Sequence, residues 1–156
     1  SCMTRKGGEL IRQLVNILKF RKVFARYDFE LAVLDNCSEQ EVSSTLRQSL
    51  IYLSTSEQEG FGLPAAEAMA SGCLVVGFHG QGGQEFMLPE YAYPIPQGNV
   101  LEFAQTVESI LSNYSIDPDS LLLKAERASS FIHRKYNGIT EEEDVMAAWS
   151  AIRSRL

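Results

Sequence analysis

Two glutamates, Glu59 and Glu67, bracket the run Gly60-Phe61-Gly62-Leu63-Pro64-Ala65-Ala66. Before them, Leu50-Ile51-Tyr52-Leu53-Ser54 reads as a buried strand. A helix is expected from about Pro64, because proline at the first helical position gives up only an amide that would have no partner there anyway. The strand's carboxyl end and the helix's amino end then meet at residues 55–63. Free amides and the positive end of the helix dipole suit such a place to a phosphate. Gly60 and Gly62 let a ligand come close to the main chain. The two carboxylates would repel a phosphate, so their fitting task is to accept hydrogen bonds from sugar hydroxyls. Each charge-assisted bond of that kind is worth about 1.5–3 kcal/mol.

Taken singly, these residues also have ordinary explanations. An acid in the first turn of a helix, as Glu67 would be, complements the dipole by about 0.3–1 kcal/mol whatever else it does. Glu59 in a loop could be solvated, and Ala65, Ala66, Ala68 and Ala70 read as small packing residues that let a short helix lie close to a sheet.

The whole run from Glu59 to Val76, EGFGLPAAEAMASGCLVV, resembles the signature of the retaining glycosyltransferases of GT-B architecture, in the large family called group 1. The spacing of the glutamates carries little alone; its combination with Gly-Phe-Gly-Leu-Pro and Ala-Met-Ala-Ser-Gly is specific. By that resemblance Glu59 contacts hydroxyls of the donor sugar, the main chain of Gly60, Phe61, Gly62 and Leu63 contacts sugar and phosphate, and Glu67 holds the ribose diol. Met3-Thr4-Arg5-Lys6-Gly7-Gly8 resembles a variant of the family's first strand-to-helix loop, whose basic residues grip the donor diphosphate. The implied catalytic set is therefore Glu59 with Lys6 or Arg5, the cation stabilising charge on the departing diphosphate. Arg5 and Lys6 adjoin here where the family often separates the pair, which leaves open which one makes the contact.

A chain of 156 residues with 45% hydrophobic content fits one domain with a proper core. A net charge of −6, without an extended Lys/Arg block, argues against nucleic acid as a partner. Cys2, Cys37 and Cys73 are odd in number and lack metal-ligand spacing, which points to a reducing, cytoplasmic setting. No leader is visible, and no run reaches the roughly 18 apolar residues of a membrane span.

The elements alternate. A helix over about Gly8–Lys19, with Leu10, Leu14, Ile17 and Leu18 on one face, leads to a strand at Phe29–Leu34. Ser38 and Glu41 form a capping box for a helix reaching about Gln48. The strand at 50–54, the Pro64 helix and a strand at Leu74–Phe78 follow, then a short helix over Gly83–Met87 and a short strand at Tyr91–Ile95. Asn99 with Glu102, Asp119, and Thr140 with Glu143 open three further helices. Alternation of this kind predicts a parallel sheet. The chain enters its first helix within about seven residues of Ser1, so the sheet's first strand is expected to be truncated.

Other constellations carry less. Gly80-Gln81-Gly82-Gly83-Gln84-Glu85 opens like a dinucleotide fingerprint but has Glu85 at the third glycine position, a helix soon stopped by Pro89, and no acidic residue ending a following strand about 20 positions on. Glu85 is expected to cap its own helix or, since the resembling family has a similar glycine-rich loop and acid near the cleft at this place, to approach the donor or acceptor. His79 and His133, without partner residues at motif spacing, read as structural. Asp117-Pro118-Asp119 reads as a helix start rather than a metal triplet, and Trp149 with Val145, Met146 and Ile152 as a core or interdomain face.

The expected fold is an α/β Rossmann-like parallel sheet flanked by helices, the carboxyl-terminal half of a GT-B enzyme. What the resemblance implies is a hexosyltransferase-type enzyme that needs no metal or cofactor, its nucleotide sugar being a substrate. Its partners would be that nucleotide sugar, an unidentified acceptor and a missing amino-terminal domain, so the fragment alone is expected to bind without turning over. Two rival classes stand beside this one: a non-catalytic nucleotide-sugar or phosphosugar binding module, and a structural or interaction domain.

Overall fold

The computed structural model of the chain describes residues 1–3 and 7–154. Five strands, β1 (Cys2–Met3), β2 (Val33–Leu34), β3 (Ile51–Ser54), β4 (Leu74–Gly77) and β5 (Tyr93–Pro94), form one sheet in the order β2-β1-β3-β4-β5. Every neighbouring pair is parallel. The helices are α1 (Gly8–Phe20), α2 (Val23–Arg26), α3 (Glu39–Arg47), α4 (Leu63–Ala70), α5 (Val100–Tyr114), α6 (Pro118–Lys135) and α7 (Gly138–Arg153), with a 3-10 turn at Gly82–Glu85. This is the α/β, Rossmann-like parallel sheet flanked by helices that the alternation predicts.

The central strands are apolar on both faces because both are covered. Leu53, Leu74, Val76 and Phe78 pack with α1 and α5, through Leu14, Leu18, Phe103 and Val107. Tyr52, Val75 and Cys73 face the other way, onto Leu46 of α3, the alanines of α4, and Ala128 and Ile132 of α6. Ala65, Ala66 and Ala68 are buried as expected of packing residues, and they bring α4 close to the sheet.

Several expectations shift by local physics. Of the strand predicted at Phe29–Leu34, Val33–Leu34 forms, paired with Cys2–Met3 of β1. The buried line of α1 runs through Ile11, Leu14 and Leu18, while Leu10 and Ile17 are half-buried beside it. Asp117, one residue before Pro118, caps α6 by accepting from the Ser120 amide at 3.3 Å. Helix α7 is capped by Asn137, whose side chain accepts from the amides of Ile139 and Thr140, so Thr140 with Glu143 is not its cap. No residue of α7 is buried, so of the core or interdomain role expected of Trp149, Val145, Met146 and Ile152 the core alternative falls away. Among the described residues, no helix is long and apolar enough to cross a membrane.

Candidate functional site

Strand order turns back on itself at β1: the chain runs from β1 outward to β2, then returns past β1 to β3. In open parallel sheets the crevice at such a switch point, outside the strands' carboxyl ends, is where ligands bind. A cleft of about 480 Å³ lies there, lined by Met3 and Leu34 at the ends of β1 and β2, by Tyr52, Thr55 and Ser56 of β3 and its loop, and by Glu59, Phe61, Gly62, Leu63, Pro64 and Glu67. Asp35, Asn36, Cys37 and Val42 close the far side.

The floor of the loop is set by glycine. Gly62, at φ +93°, caps α4 in the left-handed region, and Pro64 takes an early helical position as its missing amide allows. Phe61 turns its ring into Phe86 and Tyr136, at centroid separations of 5.3 and 5.1 Å, anchoring the loop to α6. A second glycine-rich segment braces the first. The Glu59 amide donates to the Gly80 carbonyl at 2.7 Å, the Gly82 amide donates to the Glu59 carbonyl at 3.2 Å, and Glu59 and Gln81 form a parallel bridge. A Cβ on Gly82 would lie 2.7 Å from the Phe61 Cα and closer still to the Gly60 carbonyl, so only glycine lets the two segments meet. His79 steadies the bend, its Nδ1 accepting from the Gln81 amide at 3.0 Å, a structural use as expected.

Within this frame the half-buried Glu59 is oriented by Ser56, whose hydroxyl donates to Oε1 at 3.1 Å. Glu67 projects from the first turns of α4 into the same cleft. Partial burial raises its carboxyl above the usual carboxylate range, and the negative charge of Glu39 adds to the effect. Glu59, Phe61, Gly62, Leu63 and Glu67 thus line one cleft together, whereas Gly60 is not in its lining and instead abuts Gly82. Arg5 and Lys6, the expected diphosphate grip, lie outside the described residues. Gly7 closes that loop at φ +106°, packed so tightly on Thr55 that a Cβ would sit 2.8 Å from the Thr55 carbonyl.

Residues 29–128 match the family described as glycosyl transferases group 1, well over half of the chain. The chain belongs to that family. In this group 1 chain the matched region includes the whole Glu59–Glu67 loop, the Gly80–Gly83 brace and α4. A stretch of 47 residues is 40% identical to an alpha-1,6-glucosyltransferase of Actinobacillus pleuropneumoniae serotype 7 (strain AP76). That alignment covers 30% of this chain and 14% of the relative's length.

Glu85 sits outside the cleft. Its carboxylate accepts from the Tyr136 hydroxyl at 3.4 Å and lies 3.9 Å from the Lys135 ammonium, and the 3-10 turn has no side-chain cap, so the expected capping role is replaced by a tie to α6. Sequence reasoning passed over four contributors to the site: Ser56, which orients Glu59; Gly80 and Gly82, which brace it; and Tyr52, read only as strand. The signal for the brace is the glycine-rich run after β4, which fails as a dinucleotide fingerprint.

Proposed function

We propose that this chain is the donor-binding part of a glycosyltransferase that moves a sugar from a nucleoside diphosphate to an acceptor with retention at the anomeric carbon. The observation that carries the reading is the convergence of Glu59 and Glu67 on one cleft with the glycine-capped start of α4. A diphosphate at that helix start would meet free amides and the positive end of the dipole. On either side of it, one carboxylate would accept from the donor sugar's hydroxyls and the other from the ribose diol. Lys6 or Arg5 would neutralise the charge that grows on the leaving diphosphate, without a metal. Acceptor residues would come from an amino-terminal domain, and the isolated chain would bind without turnover.

Titration calorimetry with UDP, GDP and ADP tests this. At least one should bind, and Glu67→Ala should weaken it about 10- to 100-fold, the equivalent of a charge-assisted hydrogen bond. Absence of heat with all three nucleotides would overturn the reading.

A further inference from the structure

At the floor of the cleft stands a polar group that the family's motif does not account for. Tyr52 is only 3% exposed, packed on the face of the sheet covered by α3, α4 and α6, with Leu34 and Leu46. Its hydroxyl has no hydrogen-bond partner among the described residues, yet it is not one of the sealed-off polar atoms: the side chain lines the cleft and its oxygen opens there. A buried phenol normally finds a partner, since leaving it without one forfeits the hydrogen bond that water supplied. Met3, Leu34, Val42 and Pro64 supply apolar surface to the same cleft beside the polar Asn36, Thr55 and Ser56, and Glu67 lines it too. Burial, above all, and then the nearby Cys2 and Glu67 push the phenol's ionisation upward, so the group is a neutral donor at physiological pH.

We propose that the Tyr52 hydroxyl is a nucleoside-binding group, donating a hydrogen bond to the base or ribose of the nucleotide that occupies this cleft. The proposal rests on the reading of the cleft as a nucleotide site. The apolar side chains of the cleft suit the face of a base, the Tyr52 hydroxyl supplies direction, and Glu67 accepts from the ribose beside it. The phosphate end would sit at Thr55, Gly62 and the start of α4, which line the same cleft, while Tyr52 is assigned to the nucleoside. The hydroxyl therefore distinguishes a nucleoside diphosphate from the diphosphate alone.

Tyr52→Phe removes one oxygen and keeps the ring that packs. Because that oxygen bonds to nothing in the described protein, the variant should melt at the same temperature as the parent chain. Calorimetry would compare UDP, GDP and ADP with inorganic pyrophosphate on both proteins. The expected result is a loss of about three- to tenfold in affinity for whichever nucleotide binds, the range for a single neutral hydrogen bond, with pyrophosphate affinity unchanged. Unchanged nucleotide affinity in Tyr52→Phe would overturn the proposal, and so would an equal loss for pyrophosphate, which would mean a general change in the cleft's shape. If the parent chain binds a nucleotide and Glu67→Ala loses it while Tyr52→Phe does not, this inference alone fails. If the parent chain binds none of the nucleotides, the nucleotide reading fails with it.

Discussion

Glu67 costs the folded chain something when no ligand is bound. Partial burial and the charge of Glu39 hold its carboxyl above the ordinary range, so the charged form is less favourable in the folded state than in the unfolded one. Below the ordinary glutamate value of about 4.3 both states carry the proton and nothing is lost. As pH rises through that value the unfolded chain releases its proton first, and folding weakens until the folded carboxyl has ionised too. Glu67→Gln should therefore raise Tm modestly at about pH 7 and leave it unchanged at about pH 3.5, as read by circular dichroism melting at the two pH values. A higher parental Tm at neutral pH would show that the carboxylate has a favourable partner in the free protein. Much of the site at this scale was legible beforehand: Glu59, Gly62 and Glu67 declare themselves by type and spacing. Tyr52 did not, because a tyrosine in a run of apolar residues is indistinguishable from a core residue until the direction of its hydroxyl is known. Ser56 escaped notice because its task is to orient a neighbour, which leaves no periodic or spaced trace.

At the scale of elements, chemistry is placed by two loops that hold each other. Glu59 lies in the loop after β3, and the loop after β4 grips it through the Gly80 carbonyl and the Gly82 amide. The absence of a side chain at Gly82 is what permits this, since a Cβ there would collide with the backbone of Gly60 and Phe61. Gly82→Ala should force the loops apart at a cost of about 1–3 kcal/mol, the usual range for overpacking, visible in urea unfolding. On the proposed reading, in which Glu59 would serve the sugar and the start of α4 the phosphate, it should also weaken a nucleotide sugar more than the free nucleoside diphosphate. Equal losses for the two ligands would separate the brace from sugar recognition. The sequence announces elements better than it announces their joining. Hydrophobic period and caps are local, so α1, α3, α5 and the two central strands emerge near their observed bounds. Strand β2 is shorter than its apolar run because a strand forms only where a neighbour pairs with it, and α7 starts ahead of Thr140 because Asn137 already caps the amides of Ile139 and Thr140, which places Thr140 inside the first turn.

Across the whole molecule, the described chain divides into a sheet covered on both faces and a last helix that covers nothing. Cohesion among the covering helices is visible: Glu108 of α5 accepts from Arg21 at 2.6 Å and from Arg26 at 2.8 Å, tying α1 and α2 to it, and the Ser129 hydroxyl of α6 donates to the Ala70 carbonyl at 2.7 Å. Helix α7, in contrast, leaves Ile139, Val145, Met146, Trp149 and Ile152 exposed, with 59% of Trp149 in contact with solvent. Its apolar positions read as a core or interdomain face, and periodicity states only that a face is apolar and is silent on what meets it. The consequence is measurable because Trp149 is the chain's single tryptophan. Its emission should be red-shifted and freely quenched by iodide in the native chain, and heating or urea should change it little while circular dichroism reports the loss of the sheet and its helices. Two probes that fail to coincide would usually signal an intermediate; here the cause is that the indole is already in water before unfolding begins. Coincident transitions, with a native emission shielded from iodide, would place Trp149 against the body of the domain and overturn this division.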